Sequence, residues 1–139
     1  LFRSGNFIGG ISGKSFSLLE VQAKNSKKKN EERLVLRMGD ENGERIARPG
    51  YFHIQLQDNP PRVVIDLVQV QRTAVDETKL KKILSGSIFI KTASILMDPE
   101  DKSTNIVLEL KQNVRLEVFQ KLAERTEETG EIVLDMVAR

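Results

Sequence analysis

Hydrophobic and polar residues alternate along much of the chain, which is the pattern of strands that bury one face. The clearest case is YFHIQLQ at 51–57, where Phe52, Ile54 and Leu56 fall on one side and mostly polar residues on the other. Turn-forming residues separate such segments. On this pattern we predict strands over 15–22, 33–38, 51–57, 62–70, 87–97, 105–110, 114–119 and 131–137.

One segment, 75–84, has the periodicity of a helix. Its apolar residues form a helical stripe, its acidic residues come early and its lysines come late. Asp76 or Thr73 can cap its amino end, and Gly86 can end it. Seven to nine short strands with one short helix predict a mostly all-β fold, either a β-sandwich or a barrel.

Two phrases recur in the same order in the two halves of the chain. RLVLRM at 33–38 is echoed by NIVLEL at 105–110, and RVVIDLV at 62–68 by EIVLDMV at 131–137. Val35 and Val107 are 72 residues apart, while Val64 and Val133 are 69 apart, so the spacing agrees to three residues. We therefore predict an internal duplication, with two similar sheets packed face to face about a pseudo-two-fold axis as a two-sheet β-sandwich.

Alternation places the charged residues of the repeated phrases on the outer faces of their strands. In 62–68, Val63, Ile65 and Leu67 point inward, and Arg62, Val64 and Asp66 point outward. In the echo, Glu131, Val133 and Asp135 point outward, and Arg37 and Glu109 take outward positions on the other repeated phrase. These charges either keep the outer faces soluble and set strand pairing, or form a polar platform for a ligand.

Composition indicates an ordinary globular protein and excludes several partner classes. The chain has 139 residues, 39% hydrophobic and 30% charged, with a formal net charge of +2. This balance gives no drive toward nucleic acid or an anionic membrane. No apolar run reaches the roughly 18 residues that span a bilayer, so we expect no direct membrane insertion. With no Cys, the chain has neither disulfides nor thiolate ligands.

The chain is expected to consist of a flexible amino-terminal segment and one domain. Residues 1–15 are rich in Gly and Ser and predict a loose tail, and 16–139 predict the domain. Within the domain, 24–33 predicts a charged loop. Because the first residue is Leu1, we expect a piece of a longer protein or a mature form.

Motifs for catalysis are weak. GGISGKS at 9–15 falls short of a phosphate-binding loop because Ile8 stands where that motif requires Gly. A zinc site needs several ligands, whereas His53 is the single histidine. A pair of carboxylates for glycoside hydrolysis stays open, since their spacing is spatial. We predict no catalytic residue, no metal and no cofactor in this chain.

The repeated phrases belong to a longer motif, formed by Pro60, Arg62, Val63, Val64, Ile65, Asp66 and Leu67, then Lys91, Asp98, Val107, Leu108 and Glu109. With this motif, the segment from 33 to 137 resembles an AMIN domain, the non-catalytic amino-terminal domain of bacterial N-acetylmuramoyl-L-alanine amidases that also occurs in type IV pilus secretins. Two departures concern ligand contacts: Lys91 stands where the family often has Arg, and Asn105 where a strand often opens with Arg.

The resemblance implies a two-sheet β-sandwich that binds peptidoglycan and localises a periplasmic or cell-envelope protein, such as a larger amidase for which this chain is the targeting domain. Basic residues could pair with carboxylates of the stem peptide, and acidic residues could accept hydrogen bonds from amino groups. The expected ligand-binding residues are Arg62, Asp66, Lys91, Glu109 and Asp135.

The alternative is a protein–protein adaptor within an envelope assembly such as a type IV pilus secretin, with envelope proteins as partners. Such an adaptor would use an exposed strand edge or an apolar outer patch. The outward valines of the repeated phrases would form that patch: Val35, Val64, Val107 and Val133.

Overall fold

The computed structural model describes residues 5–11, 15–25 and 30–139. Within these residues the chain forms ten strands and one short helix. The strands are β1 (Gly5–Gly9), β2 (Phe16–Asn25), β3 (Glu31–Asp40), β4 (Phe52–Gln57), β5 (Arg62–Val68), β6 (Val70–Thr73), β7 (Ile90–Asp98), β8 (Ser103–Leu110), β9 (Val114–Lys121) and β10 (Glu131–Ala138), and the helix α1 (Glu77–Ile83) lies between β6 and β7.

The strands form two five-stranded sheets, which confirms the all-β two-sheet sandwich. Sheet 1 has the order β1-β4-β5-β8-β7, and sheet 2 has the order β6-β2-β3-β10-β9. The side chains of the inner faces form one hydrophobic cluster, in which Ile54 and Ile65 of sheet 1 and Leu134 of sheet 2 are fully buried. Burial of this apolar surface is the main stabilising contribution to the fold.

Burial alternates along β5 as the sequence predicts, and along β10 except at Val133, which is buried although it lies outside the core cluster. In β5, Val63, Ile65 and Leu67 are buried, whereas Arg62 is exposed and Asp66 is half-buried. In β10 the residues at 132, 134 and 136 are buried in the core cluster, and Asp135 is half-buried on the outer face. The inward and outward assignments of both strands are therefore confirmed.

Strand order confirms the internal duplication. The run β2 to β5 corresponds to the run β7 to β10, because β2 pairs β3 as β7 pairs β8, and β4 pairs β5 as β9 pairs β10. The central pairs correspond too, since β3 lies beside β10 in sheet 2 and β8 beside β5 in sheet 1. Each half thus contributes two strands of this set to each sheet, which the repeat alone did not predict.

Pairing register agrees between the two halves residue by residue. Val35 pairs with Val133 in sheet 2, and their counterparts Val107 and Val64 pair in sheet 1. Even the irregularities match: the register shifts between Leu18 and Glu20 opposite β3, and between Ile90 and Thr92 opposite β8. The two shifts are separated by 72 residues, which is the same offset as that of the first repeated phrase.

Two local features differ from the predicted elements. The predicted strand 62–70 is divided at Gln69, whose φ of 61° turns the chain, so β5 belongs to sheet 1 and β6 pairs with β2 in sheet 2. Helix α1 is shorter than 75–84, and Asp76 rather than Thr73 caps it by accepting a hydrogen bond of 2.7 Å from the backbone N–H of Lys79.

The amino-terminal segment is partly strand. Within the predicted tail 1–15, Gly5–Gly9 pairs along β4 as an edge strand of sheet 1. Residues 1–4 and 12–14, which include three of the seven residues of the GGISGKS motif, lie outside the described residues. Residues 26–29 of the predicted charged loop also lie outside them, whereas its ends at 24–25 and 31–33 belong to β2 and β3. The flexibility of the segment stays a prediction.

Candidate functional site

The structure separates the five predicted ligand-binding residues onto three surfaces. Arg62, Asp66 and Glu109 lie on the outer face of sheet 1, where Arg62 is directly opposite Glu109. Asp135 lies on the outer face of sheet 2, on the far side of the sandwich. Lys91 lies at the register shift of the edge strand β7, near the carboxyl end of α1. Three of the five residues therefore share one face.

Three cross-strand rows of outward side chains make up the outer face of sheet 1. The alternation within each strand brings these side chains to one surface because neighbouring strands are in register. From β4 through β5 and β8 to β7, the rows are Gln57, Arg62, Glu109 and Thr92; Gln55, Val64, Val107 and Ser94; and His53, Asp66, Asn105 and Leu96. The face is mostly amide, hydroxyl and aliphatic, with few charges.

Arg62 is held within this face by a neighbouring strand. Its Nε donates a hydrogen bond to Oε1 of Gln57, and Nε2 of Gln57 donates one of 3.1 Å to Oε1 of Gln55. Arg62 is exposed, and its remaining guanidinium N–H groups make no other side-chain bond among the described residues. These N–H groups can donate to a carboxylate or carbonyl of a ligand.

Asp66 is the unusual residue of the face. It is half-buried, and its Oδ1 is shielded from solvent without a hydrogen-bond partner in the described part of the chain. Desolvation by burial raises the pKa of Asp66, while His53 lowers it and Asp101 adds to the rise. The cross-strand neighbour His53 is itself hydrogen-bonded, through Nε2, to Oδ1 of Asn6 at 2.9 Å.

Lys91 belongs to a separate basic cavity. This cavity of about 260 Å³ lies between α1 and the start of β7, and Lys81, Lys111 and Ser85 line it with Lys91. Nζ of Lys111 donates to the backbone oxygen of Ser87 at 3.0 Å. The cavity does not include Arg62, Asp66 or Glu109, so Lys91 does not complete one site with them.

Charged side chains on the outer face of sheet 2 bind one another. Arg33 binds Asp135 through two hydrogen bonds, Nε to Oδ1 at 2.7 Å and Nη2 to Oδ2 at 2.9 Å. Arg37 binds Glu131 at 2.6 Å and Glu20 at 3.1 Å. A ligand at Asp135 would have to displace a guanidinium that already satisfies both carboxylate oxygens.

These ion pairs cover an apolar strip and border two cavities of the surface. Val35 and Val133 pair across β3 and β10 and are buried, and Arg33 lies over the ring of Phe119 with its Cζ 5.3 Å from the ring centre. Cavities of about 380 and 450 Å³ lie on this face, and most of their lining is charged. The ion pairs Arg33–Asp135 and Arg37–Glu131 form part of the lining of these cavities, so a charged ligand there would compete with them.

The four outward valines do not form one apolar patch. Val35 and Val133 pair on sheet 2, whereas Val64 and Val107 pair on sheet 1, so the two pairs lie on opposite faces of the sandwich. The patch expected for an adaptor is therefore divided in two. Exposed apolar side chains are found instead on the edge strand β7, where Leu96 is 62% and Met97 is 49% exposed.

The sequence patterns did not identify the cross-strand partners, which decide whether each carboxylate is already bound within the chain. Asn105 was treated only as a departure from the family pattern, and Arg33 was not connected with Asp135. The signal was present in the repeat, because RLVLRM aligned with NIVLEL pairs Arg33 with Asn105. In that alignment a cationic residue in the first half corresponds to a neutral one in the second. This difference in charge distinguishes the surroundings of Asp135 from those of Asp66.

The described ranges contain neither a group of metal-ligand residues nor a helix that could span a membrane. There, no three or more His, Asp or Glu residues are grouped so that they could hold a metal ion. No helix among the same residues is long and apolar enough to cross a membrane.

Comparison with known proteins adds no family assignment. No protein-family model matches the chain, and no curated protein matches it either. The resemblance to an AMIN domain therefore rests on the residues of its motif, and the functional argument rests on the geometry of the two outer faces.

Proposed function

We propose that this chain is a non-catalytic, AMIN-like module that binds peptidoglycan with the outer face of sheet 1 and thereby localises a protein in the periplasm or cell envelope. The observation that carries the proposal is the contrast between the two outer faces. Asp66, Asn105 and Glu109 form no side-chain hydrogen bond or ion pair among the described residues, whereas their counterparts on sheet 2 are paired.

The chemistry of this face suits a glycan with attached peptides. Amide and hydroxyl side chains such as Gln55, Asn105 and Ser94 can both donate and accept hydrogen bonds, as sugar hydroxyls and peptide groups require. Arg62 offers free N–H groups to carboxylates of the stem peptide, and Asp66 offers an acceptor to its donors. The half-buried Val64 and Val107 supply a flat aliphatic floor between the polar rows.

Co-sedimentation with purified sacculi tests the proposal. The wild-type chain should pellet with sacculi, and the double variant Arg62→Ser, Asp66→Asn should remain folded but lose retention. Its matched control is Arg37→Ser, Glu131→Gln, which removes one cation and one anion from sheet 2 and should leave retention unchanged. Circular dichroism verifies that both variants are folded. No retention of the wild-type chain would remove the peptidoglycan proposal.

A protein–protein adaptor is the second candidate, and the edge strand β7 is the observation that favours it. An edge strand leaves backbone N–H and C=O groups free to pair with a strand of a partner, although on β7 the N–H of Ile95 already donates to Oε1 of Glu77 at 3.1 Å. Leu96 and Met97 add exposed apolar surface along that edge. The same sedimentation assay separates the two candidates, since an adaptor of this kind would not be retained by protein-free sacculi.

A further inference from the structure

Asp66 and Asp135 are counterparts in the duplicated fold. Asp66 on β5 lies opposite Asn105 on β8, and Asp135 on β10 lies opposite Arg33 on β3. The offsets of the repeat, 72 residues for the strands β3 and β8 and 69 for β5 and β10, map one pair onto the other. The same backbone arrangement therefore presents a carboxylate to an arginine on sheet 2 and to an asparagine on sheet 1.

On sheet 2 a cation occupies the space above the carboxylate. The guanidinium of Arg33 binds both oxygens of Asp135 and lies over Phe119. On sheet 1 the counterpart space holds no cation, because the Asn105 side chain is short and neutral and makes no hydrogen bond to Asp66. Oδ1 of Asp66 is shielded from water and has no hydrogen-bond partner among the described residues, so the charged carboxylate is costly unless a cation lies beside it.

The surroundings of Asp66 favour a small cation on an aliphatic chain. Leu96 and Ile8 end the row of Asp66 on either side, with 62% and 65% of their surfaces exposed, and Val64 and Val107 line the neighbouring row. An ammonium group has three donors, which the outer oxygen of the Asp66 carboxylate, the Asn105 amide oxygen and water can accept. Sheet 1 lacks the phenyl ring over which the Arg33 guanidinium lies, since Gln55 occupies the position that Phe119 has on sheet 2.

We infer that Asp66 is the receptor for a primary ammonium group of the ligand, which takes the place that the Arg33 guanidinium holds on the other sheet. The inference deepens the proposed function and rests on it, since a free amino group of a stem peptide is the peptidoglycan group with this chemistry. It also explains why only one of the two duplicated faces is open. On sheet 2 Arg33 of the same chain binds the carboxylate, whereas on sheet 1 the cation comes from the ligand.

The sharpest variant restores the arginine that sheet 1 lacks. Asn105→Arg should let a guanidinium bind Asp66 as Arg33 binds Asp135, and so block the site while keeping the carboxylate in place. Asp66→Asn removes the acceptor charge instead. Either change should weaken binding of an ammonium ligand by roughly tenfold or more. The matched control is Arg33→Asn on sheet 2, which should not reduce binding at Asp66.

The direct probe is N-acetyl-lysine methylamide, titrated into the wild-type chain and followed by nuclear magnetic resonance of the Asp66 carboxyl and the His53 ring. We expect shifts at both groups, which should vanish in Asn105→Arg and persist in Arg33→Asn, whereas in Asp66→Asn the shift of the His53 ring should vanish. The analogue acetylated on its side-chain nitrogen should cause no shift. Absence of a wild-type response at Asp66, or an equal response to the acetylated analogue, would overturn the inference.

A second experiment, with sacculi, distinguishes failure of the ammonium inference from failure of the peptidoglycan proposal. Acetylating the free amino groups of sacculi should abolish retention of the wild-type chain if Asp66 receives an ammonium. Equal retention by acetylated and untreated sacculi overturns the ammonium inference while supporting peptidoglycan binding. No retention by untreated sacculi, together with a specific response to the lysine probe, overturns peptidoglycan as the ligand and supports the ammonium site.

Discussion

Asp66 and Asp135 occupy equivalent positions in the two sheets, yet only Asp135 is bound by a cation. Asp135 accepts two hydrogen bonds from Arg33, at 2.7 and 2.9 Å, whereas Oδ1 of Asp66 has no partner among the described residues. The duplicated fold thus has two similar strands, and the carboxylate is stabilised by a bound guanidinium on only one of them. The difference leads to opposite expectations for the same substitution at the two sites.

Asp66→Asn should raise the free energy of unfolding at neutral pH by up to about 1 kcal/mol, because it removes a poorly solvated charge. Burial raises the pKa of Asp66 in the folded state above its ordinary value of 3.8. Protonated Asp66 therefore adds to the stability of the wild-type fold below pH 3.8, and this contribution is lost as the pH rises through the folded pKa. The gain of the variant should therefore fade as the pH falls toward 3.8. Urea unfolding at several pH values measures it.

Asp135→Asn is the matched comparison and should lower stability, since it breaks the bidentate pair with Arg33. Equal effects of the two Asp→Asn changes at neutral pH would contradict the contrast between the sheets. A stabilising Asp135→Asn change would contradict it as well.

The pair of Arg33 and Asp135 should show measurable coupling in a double-mutant cycle with alanine. We expect about 0.5–1 kcal/mol at low salt, at the upper end for partly exposed pairs, because the geometry is bidentate. Glu77 and Lys81, 3.7 Å apart on α1, are the control pair and should couple by only about 0.3–0.5 kcal/mol. Denaturant unfolding of the four chains in each cycle gives both values, and a coupling of zero for Arg33 and Asp135 would contradict the prediction.

Glu32→Ala should cost about 2–3 kcal/mol of unfolding free energy. Glu32 is only 2% exposed and accepts hydrogen bonds from the hydroxyl of Ser87 and, at 3.0 Å, from the backbone N–H of Ile88. Its removal leaves these donors without their acceptor at the point where the chain enters β7. Glu32→Gln should cost less, because its amide oxygen can still accept one of the bonds.

The control for Glu32 is Glu117→Ala, on the exposed surface of β9, which should change stability by less than about 0.5 kcal/mol. Both are measured by urea unfolding. A Glu32→Ala variant as stable as Glu117→Ala would show that the buried carboxylate does not hold the connection before β7.

Gly130→Ala should destabilise the fold, whereas Gly86→Ala should not. A Cβ at Gly130 would lie 2.5 Å from the backbone carbonyl carbon of Arg48 and the nitrogen of Pro49, so the chain at 48–49 would have to move. A Cβ at Gly86 would meet no atom within 4 Å, and alanine there reduces the freedom of the unfolded chain. Thermal unfolding of the two variants compares them, and a Gly130→Ala variant that melts no lower than Gly86→Ala would contradict the prediction.

Alternation and repetition in the sequence determined the class of fold and the direction of the key side chains. A strand in a sandwich must have one apolar face, so the pattern around Arg62 and Asp66 could only be satisfied with both residues outward. Similarly, two phrases repeated with consistent spacing predicted the duplication that strand order and register confirm. These are local properties of the chain, which is why the sequence alone sufficed.

Only the tertiary structure decided which of the predicted residues work together. Arg33 and Asp135 are 102 positions apart in sequence, and their pairing depends on β3 and β10 being neighbours. The same non-local pairing leaves Asp66 opposite Asn105 and moves Lys91 to a separate cavity. Each strand records in its own sequence which side faces the core, but its neighbours come from distant segments, and those neighbours decide whether an outward charge is paired or left open to a ligand.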